Sequence, residues 1–178
     1  LKDMKKWGNY AKKHIMQPGL GYKGIDYLIE NGRVFQAQDL YIAAEPEDEV
    51  IPLSPTETAR RLQQIQPAIN NINDLLLSMT RDFPTHKYHI VRLPIGNKGL
   101  TVDRRIRKAA EKHGLLVKTC HTTGDDNEIQ NFLAKEPEKH TIILIKEHLR
   151  CAVTLAPKSR IGILYERLSK NDDVVVQG

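Results

Sequence analysis

The sequence has few of the features that mark extracellular, membrane-spanning or metal-binding proteins. Its 178 residues include two cysteines, Cys120 and Cys151, which lie far apart without metal-type spacing. This usage favours a reduced, intracellular setting. The longest apolar runs, residues 142–145 and 174–176, are far too short to cross a bilayer, and no secretory signal occurs. We therefore expect a cytoplasmic protein.

Signatures of nucleotide binding and catalysis are missing too. No phosphate loop of the form G-x-x-x-x-G-K-[ST] occurs, so the chain by itself cannot be a complete P-loop ATPase. Residues 19–24 match G-x-G-x-x-G, but no buried strand precedes them, which favours a glycine-rich turn. Cys120 and His121 are adjacent on a predicted strand and point to opposite faces, so they cannot act as nucleophile and base. The seven histidines show no ligand spacing such as H-E-x-x-H. We expect no catalytic residue, bound metal or cofactor in this chain alone.

Positive charge is concentrated in one part of the chain. The formal net charge is +5, from 27 Lys/Arg and 22 Asp/Glu. Residues 81–118 hold ten basic and three acidic residues, or +7, whereas residues 1–80 (nine against ten) and 119–178 (eight against nine) each balance to −1. Such a surplus favours an anion site, for which a polyanionic backbone is the commonest partner. The alternative is a solvated helix face.

Residues 1–80 are expected to form a connector or accessory segment, mostly helical or irregular. A helix begins at Ser54, an N-cap followed by Pro55 at the first helical position and by Glu57, which completes a capping box. Pro67 should end or kink this helix. A second apolar pattern at helical spacing follows Pro67. The two helices are predicted to form a hairpin that packs on the next domain.

The second half, residues 81–178, alternates strands with helices, which is the order of a parallel sheet flanked by helices. The predicted fold class is therefore α/β. After the first strand, a helix is expected to begin near Thr101 and to end at Gly114. A second helix should run through Ile129 and Leu133. The predicted strands are residues 89–93, 115–119, 140–145, 160–165 and 174–176.

Two segments are candidates for binding an anion. The first is the turn of Gly96, Asn97, Lys98 and Gly99, which opens onto a helix that carries Arg104. Glycines allow close approach of the backbone, and the amides at a helix N-terminus attract phosphate. The alternative is an ordinary strand-to-helix turn.

The second candidate segment follows the most apolar strand of the chain, residues 140–145. Lys146 and Arg150 carry positive charge directly after this strand. Ligand sites in parallel α/β sheets cluster at the carboxyl ends of strands. The alternative is that these are solvated charges of a loop.

This order of elements resembles the second RecA-like lobe of superfamily-two helicases, particularly the helicases of phages and large DNA viruses. The likeness covers about residues 86–178. The strand at 89–93 with its loop sits where that family has motif IV, and residues 140–152 sit where motif V runs. The final Val-Val-Val-Gln-Gly looks like the opening of motif VI, which continues to a glycine and an arginine finger. The threonine-to-glycine pattern of motif V is not present.

The resemblance implies a RecA-like parallel sheet and a set of roles. ATP and Mg²⁺ would be bound only by the full-length protein, between this lobe and a first lobe that carries the phosphate loop. The chain would then be a fragment, since it begins at Leu1 rather than Met and the arginine finger would lie just past Gly178. Gly96, Asn97, Lys98 and Gly99 would contact the nucleic-acid backbone, Arg150 would lie between strand and nucleotide, and Gln177 and Gly178 would lie at the lobe interface. DNA is the expected nucleic acid rather than RNA.

The alternative function is a stand-alone α/β module that binds nucleic acid or a protein partner without catalysis. It accounts for the charge pattern equally well and needs no second lobe. The residues that follow Gly178 in the parent gene would distinguish the two hypotheses, because only a helicase continues motif VI.

Overall fold

The computed structural model of the protein describes residues 25–42, 54–120, 128–146 and 155–167. The chain divides into two units, Leu1–Gln36 and Ala37–Gly178. The described part of the first unit contains one helix, α1, at Ile25–Glu30. A turn follows α1, where Gly32 adopts a φ of 61° that glycine takes without steric cost.

The described residues of the second unit form a parallel sheet of four strands: β1 (Tyr88–Arg92), β2 (Leu116–Cys120), β3 (Thr141–Ile145) and β4 (Ile161–Tyr165). Their order across the sheet is β2-β3-β1-β4, and all three neighbouring pairs run parallel. Parallel neighbours require crossover connections, for which helices are the usual solution. The predicted parallel α/β fold is confirmed.

Helices cover both faces of this sheet: α2 (Pro55–Arg81), α3 (Asn97–His113) and α4 (Glu128–Leu133). Successive strand residues point to opposite faces. Val91 and Leu144 accordingly pack with α2 and α3 in one core cluster, whereas Ile90 and Ile143 pack with α4 in another. The connection from β1 through α3 to β2 crosses the sheet in one direction, and the connection from β2 through α4 to β3 crosses it in the other. Since crossovers of parallel strands have the same hand, the two helices lie on opposite faces.

The strand β3 lies at the centre of the core. All five of its residues are buried, which is the pattern of a parallel strand covered on both faces. The sequence predicted the most buried strand at residues 140–145, and the structure confirms this prediction.

The helix α2 is one continuous element of 27 residues, so the predicted hairpin is wrong. Pro67 lies inside α2 without ending it. Proline removes the hydrogen bond to the carbonyl of residue 63. Both Gln63 and Pro67 are exposed, so that carbonyl lies on the solvent side of the helix, where water can replace the lost donor. No described helix is both long enough and apolar enough to span a membrane.

The carboxyl half of α2 packs on the sheet as predicted. Ile72, Leu76 and Met79 are buried in the cluster that contains Val91 of β1. The division of the chain at residue 80 into a connector and a lobe stays a prediction.

The start of α2 follows the predicted capping pattern. The Ser54 hydroxyl accepts a hydrogen bond from the Glu57 amide at 3.2 Å, and Pro55 occupies the first helical position. The carboxylate of Glu57 lies 3.8 Å from Nε of Arg61, its partner one turn later. The predicted N-cap at Ser54 is therefore confirmed.

Candidate nucleic-acid interface

The carboxyl ends of β1 and β3 lie side by side, and this end of the sheet is called the carboxyl edge below. The amide of Leu93, just after β1, donates to the carbonyl of Ile145 at 3.0 Å. From β1 the chain continues into α3 on one face. Leu155, the first described residue after Lys146, packs in the cluster on the other face. Parallel α/β sheets bind ligands where neighbouring strands send the chain to opposite faces. The candidate site is therefore the carboxyl edge between β1 and β3.

Gly96 makes the turn between β1 and α3. Its φ of 71° and ψ of −150° fall in a region that is essentially restricted to glycine. Its carbonyl accepts from the amides of Gly99 and Leu100 at 2.9 and 3.2 Å, so helical bonding starts at once. The helix α3 thus begins at Asn97, four residues before the predicted start near Thr101. The remainder of the predicted loop is the first turn of α3.

Gly99 is required by packing. A Cβ at this position would lie 2.1 Å from the carbonyl oxygen of Pro94. Only a residue without a side chain lets α3 start this close to the end of β1. An ordinary strand-to-helix turn therefore accounts for both Gly96 and Gly99, and their contact with a ligand stays a prediction.

The exposed polar residues of α3 face outward from this edge. Asn97, Lys98 and Arg104 are exposed. Asn97 and Arg104 are seven residues apart, which places them on the same side of α3, about 10 Å apart along its axis. The ammonium of Lys98 lies 5.3 Å from the centroid of the Tyr41 ring, a cation–π distance. Gly96 has no side chain that could accept a hydrogen bond from the first amides of α3.

Lys146 lies at the same edge, but it is bound to an internal carboxylate. Its ammonium lies 2.6 Å from Oδ2 of Asp103, on α3. Arg107, one turn further along α3, donates from Nε to Oδ1 of Asp103 at 2.6 Å and also donates to the hydroxyl of Thr119 on β2. One carboxylate thus holds two cations at the carboxyl edge. We call Lys146, Asp103 and Arg107 the ion-paired triad.

Asp103 is ionised in this triad. Its side chain is buried, with 9% of the residue exposed. Burial opposes ionisation, but the hydrogen bonds from Lys146 and Arg107 outweigh it and hold the pKa of Asp103 below its ordinary value. The triad carries a net charge of +1 at neutral pH. Its anion-binding capacity is therefore smaller than that of two independent cations.

A second ion pair lies at the carboxyl edge beside β1. Arg92, the last residue of β1, donates to the carboxylate of Glu166, just after β4, at 2.9 Å. Sequence reasoning did not select Asp103, Arg107, Arg92 or Glu166. The spacing of four residues between Asp103 and Arg107 on a predicted helix was the one available signal for the first pair. Nothing local in the sequence indicates the contact between β1 and β4.

The structure offers no activated nucleophile at Cys120. This residue ends β2, is buried, and its pKa is raised to about 12 by burial, with further contributions from the charge and hydrogen bonding of Glu128. At neutral pH it is therefore the thiol, which is a poor nucleophile. Its sequence neighbour His121 lies outside the described residues. Within the described ranges, no group of three or more His, Cys, Asp or Glu side chains is arranged to hold a metal ion.

Three predicted site residues lie outside the part of the chain that the structure describes: Arg150, Gln177 and Gly178. The structure brings together the others, Gly96, Asn97, Lys98, Gly99, Arg104 and Lys146, on α3 and at the adjoining end of β3. Comparison of the chain with protein-family models, with curated proteins and with solved structures gives no match. A functional proposal for this chain depends on the geometry of the carboxyl edge and on the resemblance in its sequence.

Proposed function

We propose that the second unit is a RecA-like lobe of an ATP-dependent nucleic-acid helicase or translocase, and that it contacts the nucleic-acid backbone at the carboxyl edge. The observation that supports this proposal is the strand order β2-β3-β1-β4. This order makes β1 and β3 neighbours, so the start of α3 and Lys146 meet at one place. Two segments that the sequence separates by about fifty residues then form one positively charged surface.

The backbone contacts are made by the exposed residues of α3. In this proposal the first amides of α3 and the ammonium of Lys98 bind one phosphate, because both contribute positive charge in the first turn of the helix. Arg104 lies two turns further along and binds a second phosphate. The ion-paired triad contributes a smaller attraction, since Asp103 neutralises one of its two cations.

The chemistry of ATP belongs to the assembled protein. ATP and Mg²⁺ would be held between this lobe and a first lobe that supplies the phosphate loop, and closure of the two lobes would move the strand. The residues described here bind and position nucleic acid, DNA in preference to RNA, in the cytoplasm. None of them acts as an acid, base or nucleophile.

Binding of a fluorescein-labelled single-stranded oligonucleotide, followed by fluorescence anisotropy over a range of salt concentrations, tests the interface. Lys98→Ala should weaken binding and reduce the slope of log affinity against log salt by about 0.7, the value for one phosphate contact on a single strand. The matched control is Lys139→Ala, an exposed lysine just before β3, at the opposite end of the sheet. Equal losses in the two variants would remove the carboxyl edge from the proposal.

Nucleotide-stimulated duplex unwinding by the full-length parent protein tests the motor itself. Unwinding coupled to ATP hydrolysis is the expected result, and the absence of both activities would contradict a motor.

A binding module without catalysis is the second candidate function. The observation in its favour is that Lys146, Arg107 and Arg92 are each ion-paired within the unit, so the edge is stable without a second lobe. Nucleic-acid binding by the chain, without ATPase or unwinding by the parent protein, is the result that this alternative predicts.

A further inference from the structure

The pairing of β4 with β1 depends on a histidine side chain. Tyr88 is opposite Ile161, but Ile90 is opposite Leu164, so β4 has one extra residue between these two positions. This is a β-bulge, which leaves a backbone group without its ladder partner. Here the amide of Ile163 donates to Nδ1 of His89 at 3.1 Å. The imidazole of His89 thus replaces a backbone acceptor at the bulge.

His89 continues the chain of hydrogen bonds to a second histidine. Its Nε2 lies 3.1 Å from Nδ1 of His140, the residue before β3. Because the Ile163 amide can only donate, Nδ1 of His89 carries no proton. Neutral His89 therefore carries its proton on Nε2 and donates it to Nδ1 of His140. The two bonds together require both histidines to be neutral.

The surroundings of His89 are tight and apolar. The side chain is fully buried, and its Cε1 would lie 2.6 Å from a Cβ on Gly162, so β4 passes directly over the imidazole. The ring of Phe83 packs edge-on at a centroid distance of 5.4 Å. A side chain at position 162 would therefore collide with the imidazole of His89.

The titratable and charged groups around the pair do not favour an imidazolium. The ring of His86 lies 5.3 Å from that of His140. Lys87, whose ammonium donates to the carbonyl of Ser159 at 2.6 Å, is a fixed positive charge that acts on His140. On the side of β4, Arg160 is paired with Glu136 at 2.8 Å. Glu138 and Lys139, which precede His140, are exposed to solvent.

We infer that His89 and His140 form a pH-sensitive latch, which holds β4, the outermost strand on that side among the described residues, against β1 at neutral pH and weakens this pairing on acidification. A proton added to Nδ1 of His140 opposes the N–H of His89. His89 can accept from His140 only by moving its own proton to Nδ1, where it then opposes the amide of Ile163. Either arrangement loses one of the two hydrogen bonds that connect β4, β1 and the start of β3.

His140 is the group that takes up the first proton. It is half-buried, and burial, followed by the charges of His86 and Lys87, lowers its pKa from 6.5. Burial and then the charge of His140 lower the pKa of His89 much further, to about 3. On acidification His140 therefore takes up a proton before His89 does. The consequence reaches the carboxyl edge, because Glu166 follows β4 and pairs with Arg92. This inference does not depend on the proposed function.

Amide hydrogen exchange of the ¹⁵N-labelled chain, measured by NMR at pH 7 and pH 5 and corrected for the intrinsic exchange rate, tests the latch. Protection of the Ile163 amide should fall by up to about tenfold per pH unit, because a single linked proton changes an opening equilibrium by at most that factor. In the same samples, the ¹⁵N shifts should show His89 with an unprotonated Nδ1 at pH 7, and the Ile163 change should coincide with protonation of His140.

Two variants separate the latch from a general effect of acid. His140→Asn offers a carbonyl oxygen to His89 but does not titrate, so the acid-induced loss of Ile163 protection should be smaller than in the wild type. His113→Asn, on α3 beside Asn73, is the control and should behave like the wild type. Unchanged Ile163 protection in the wild type, or an equal acid-induced loss in His140→Asn, would overturn the latch. The wild-type ¹⁵N titration needs no substitution and decides the question even if a variant does not fold.

Discussion

The variant Asp103→Asn should destabilise the fold while strengthening the binding of an anion. The substitution keeps the size of the side chain but removes the charge that Lys146 and Arg107 share. The bond to Lys146 contributes more to stability than the bond to Arg107, because the Lys146 side chain is 25% exposed and the Arg107 side chain is 44% exposed. A hydrogen bond between charged, partly buried groups contributes about 1.5–3 kcal/mol, and an exposed ion pair contributes about 0.2–1 kcal/mol. The expected loss is about 2–4 kcal/mol.

Urea denaturation at pH 7 measures this loss as a lower midpoint with an unchanged m-value. The matched control is Glu136→Gln, which breaks the ion pair with Arg160 at 2.8 Å, away from the carboxyl edge. The Glu136 side chain is 76% exposed, so this variant should lose less than about 1 kcal/mol.

The affinity of Asp103→Asn for single-stranded nucleic acid should rise by about threefold. For a phosphate bound at a distance of about 7 Å, removal of a unit negative charge would relieve about 0.6 kcal/mol of repulsion in water, and Lys146 and Arg107 would become available for the phosphate. Anisotropy on samples that circular dichroism shows to be folded measures the change. A variant as stable as the wild type, or one that is folded but binds more weakly, would refute the role assigned to Asp103.

Three further predictions concern the fold. Gly99→Ala should lower the free energy of unfolding, measured by urea denaturation, by about 2 kcal/mol or more, because its Cβ would lie 2.1 Å from the backbone oxygen of Pro94. A decrease of less than about 0.5 kcal/mol would contradict the close packing of α3 on β1. Ser54→Ala should cost about 1 kcal/mol in thermal unfolding through loss of the cap on α2, whereas Ser54→Asp, which keeps an acceptor, should be close to neutral. The free energy of unfolding should fall as the pH is lowered below 6.5, by up to about 1.4 kcal/mol per pH unit for His89. The pKa of His89 is about 3 in the folded chain, so between pH 6.5 and 3 the unfolded chain binds a proton that the folded chain does not. A free energy of unfolding that stays constant between pH 7 and 5 would contradict this assignment.

The elements of the sheet are readable from the sequence where burial dominates the choice of residues. The run at residues 142–145 has no polar interruption, because both faces of β3 are covered, and the sequence pattern identifies it directly. The buried residues of α3, Val102, Ile106, Ala109 and Ala110, follow helical spacing in the same way.

Errors occurred where a local signal was overridden by packing or by solvent. Glycine is typical of loops, yet Gly99 lies in the first turn of α3, where it packs on Pro94. Proline is typical of helix ends, yet α2 continues past Pro67, which lies on the solvent side of the helix. Both residues are unfavourable in a helix, but helix propensity alone gives the wrong start for α3 and the wrong end for α2.

The candidate site could be predicted only in part. The sequence located Lys98, Arg104 and Lys146, because charge accumulates after the apolar strands. It could not show that Asp103 holds Lys146, since the two residues lie 43 positions apart and meet only through the order of the strands. The contact between His89 and His140 was invisible for the same reason. Long-range ion pairs and hydrogen bonds are properties of the topology, not of a local pattern.

The most direct test of the account is a map of amide chemical-shift changes when a single-stranded oligodeoxynucleotide is added to the ¹⁵N-labelled chain. The account predicts that the largest changes cluster at Gly96, Lys98, Gly99 and Lys146, and that Lys139 at the other end of the sheet does not respond. Changes centred on that opposite end, or no saturable change at any amide, would contradict nucleic-acid binding at the carboxyl edge.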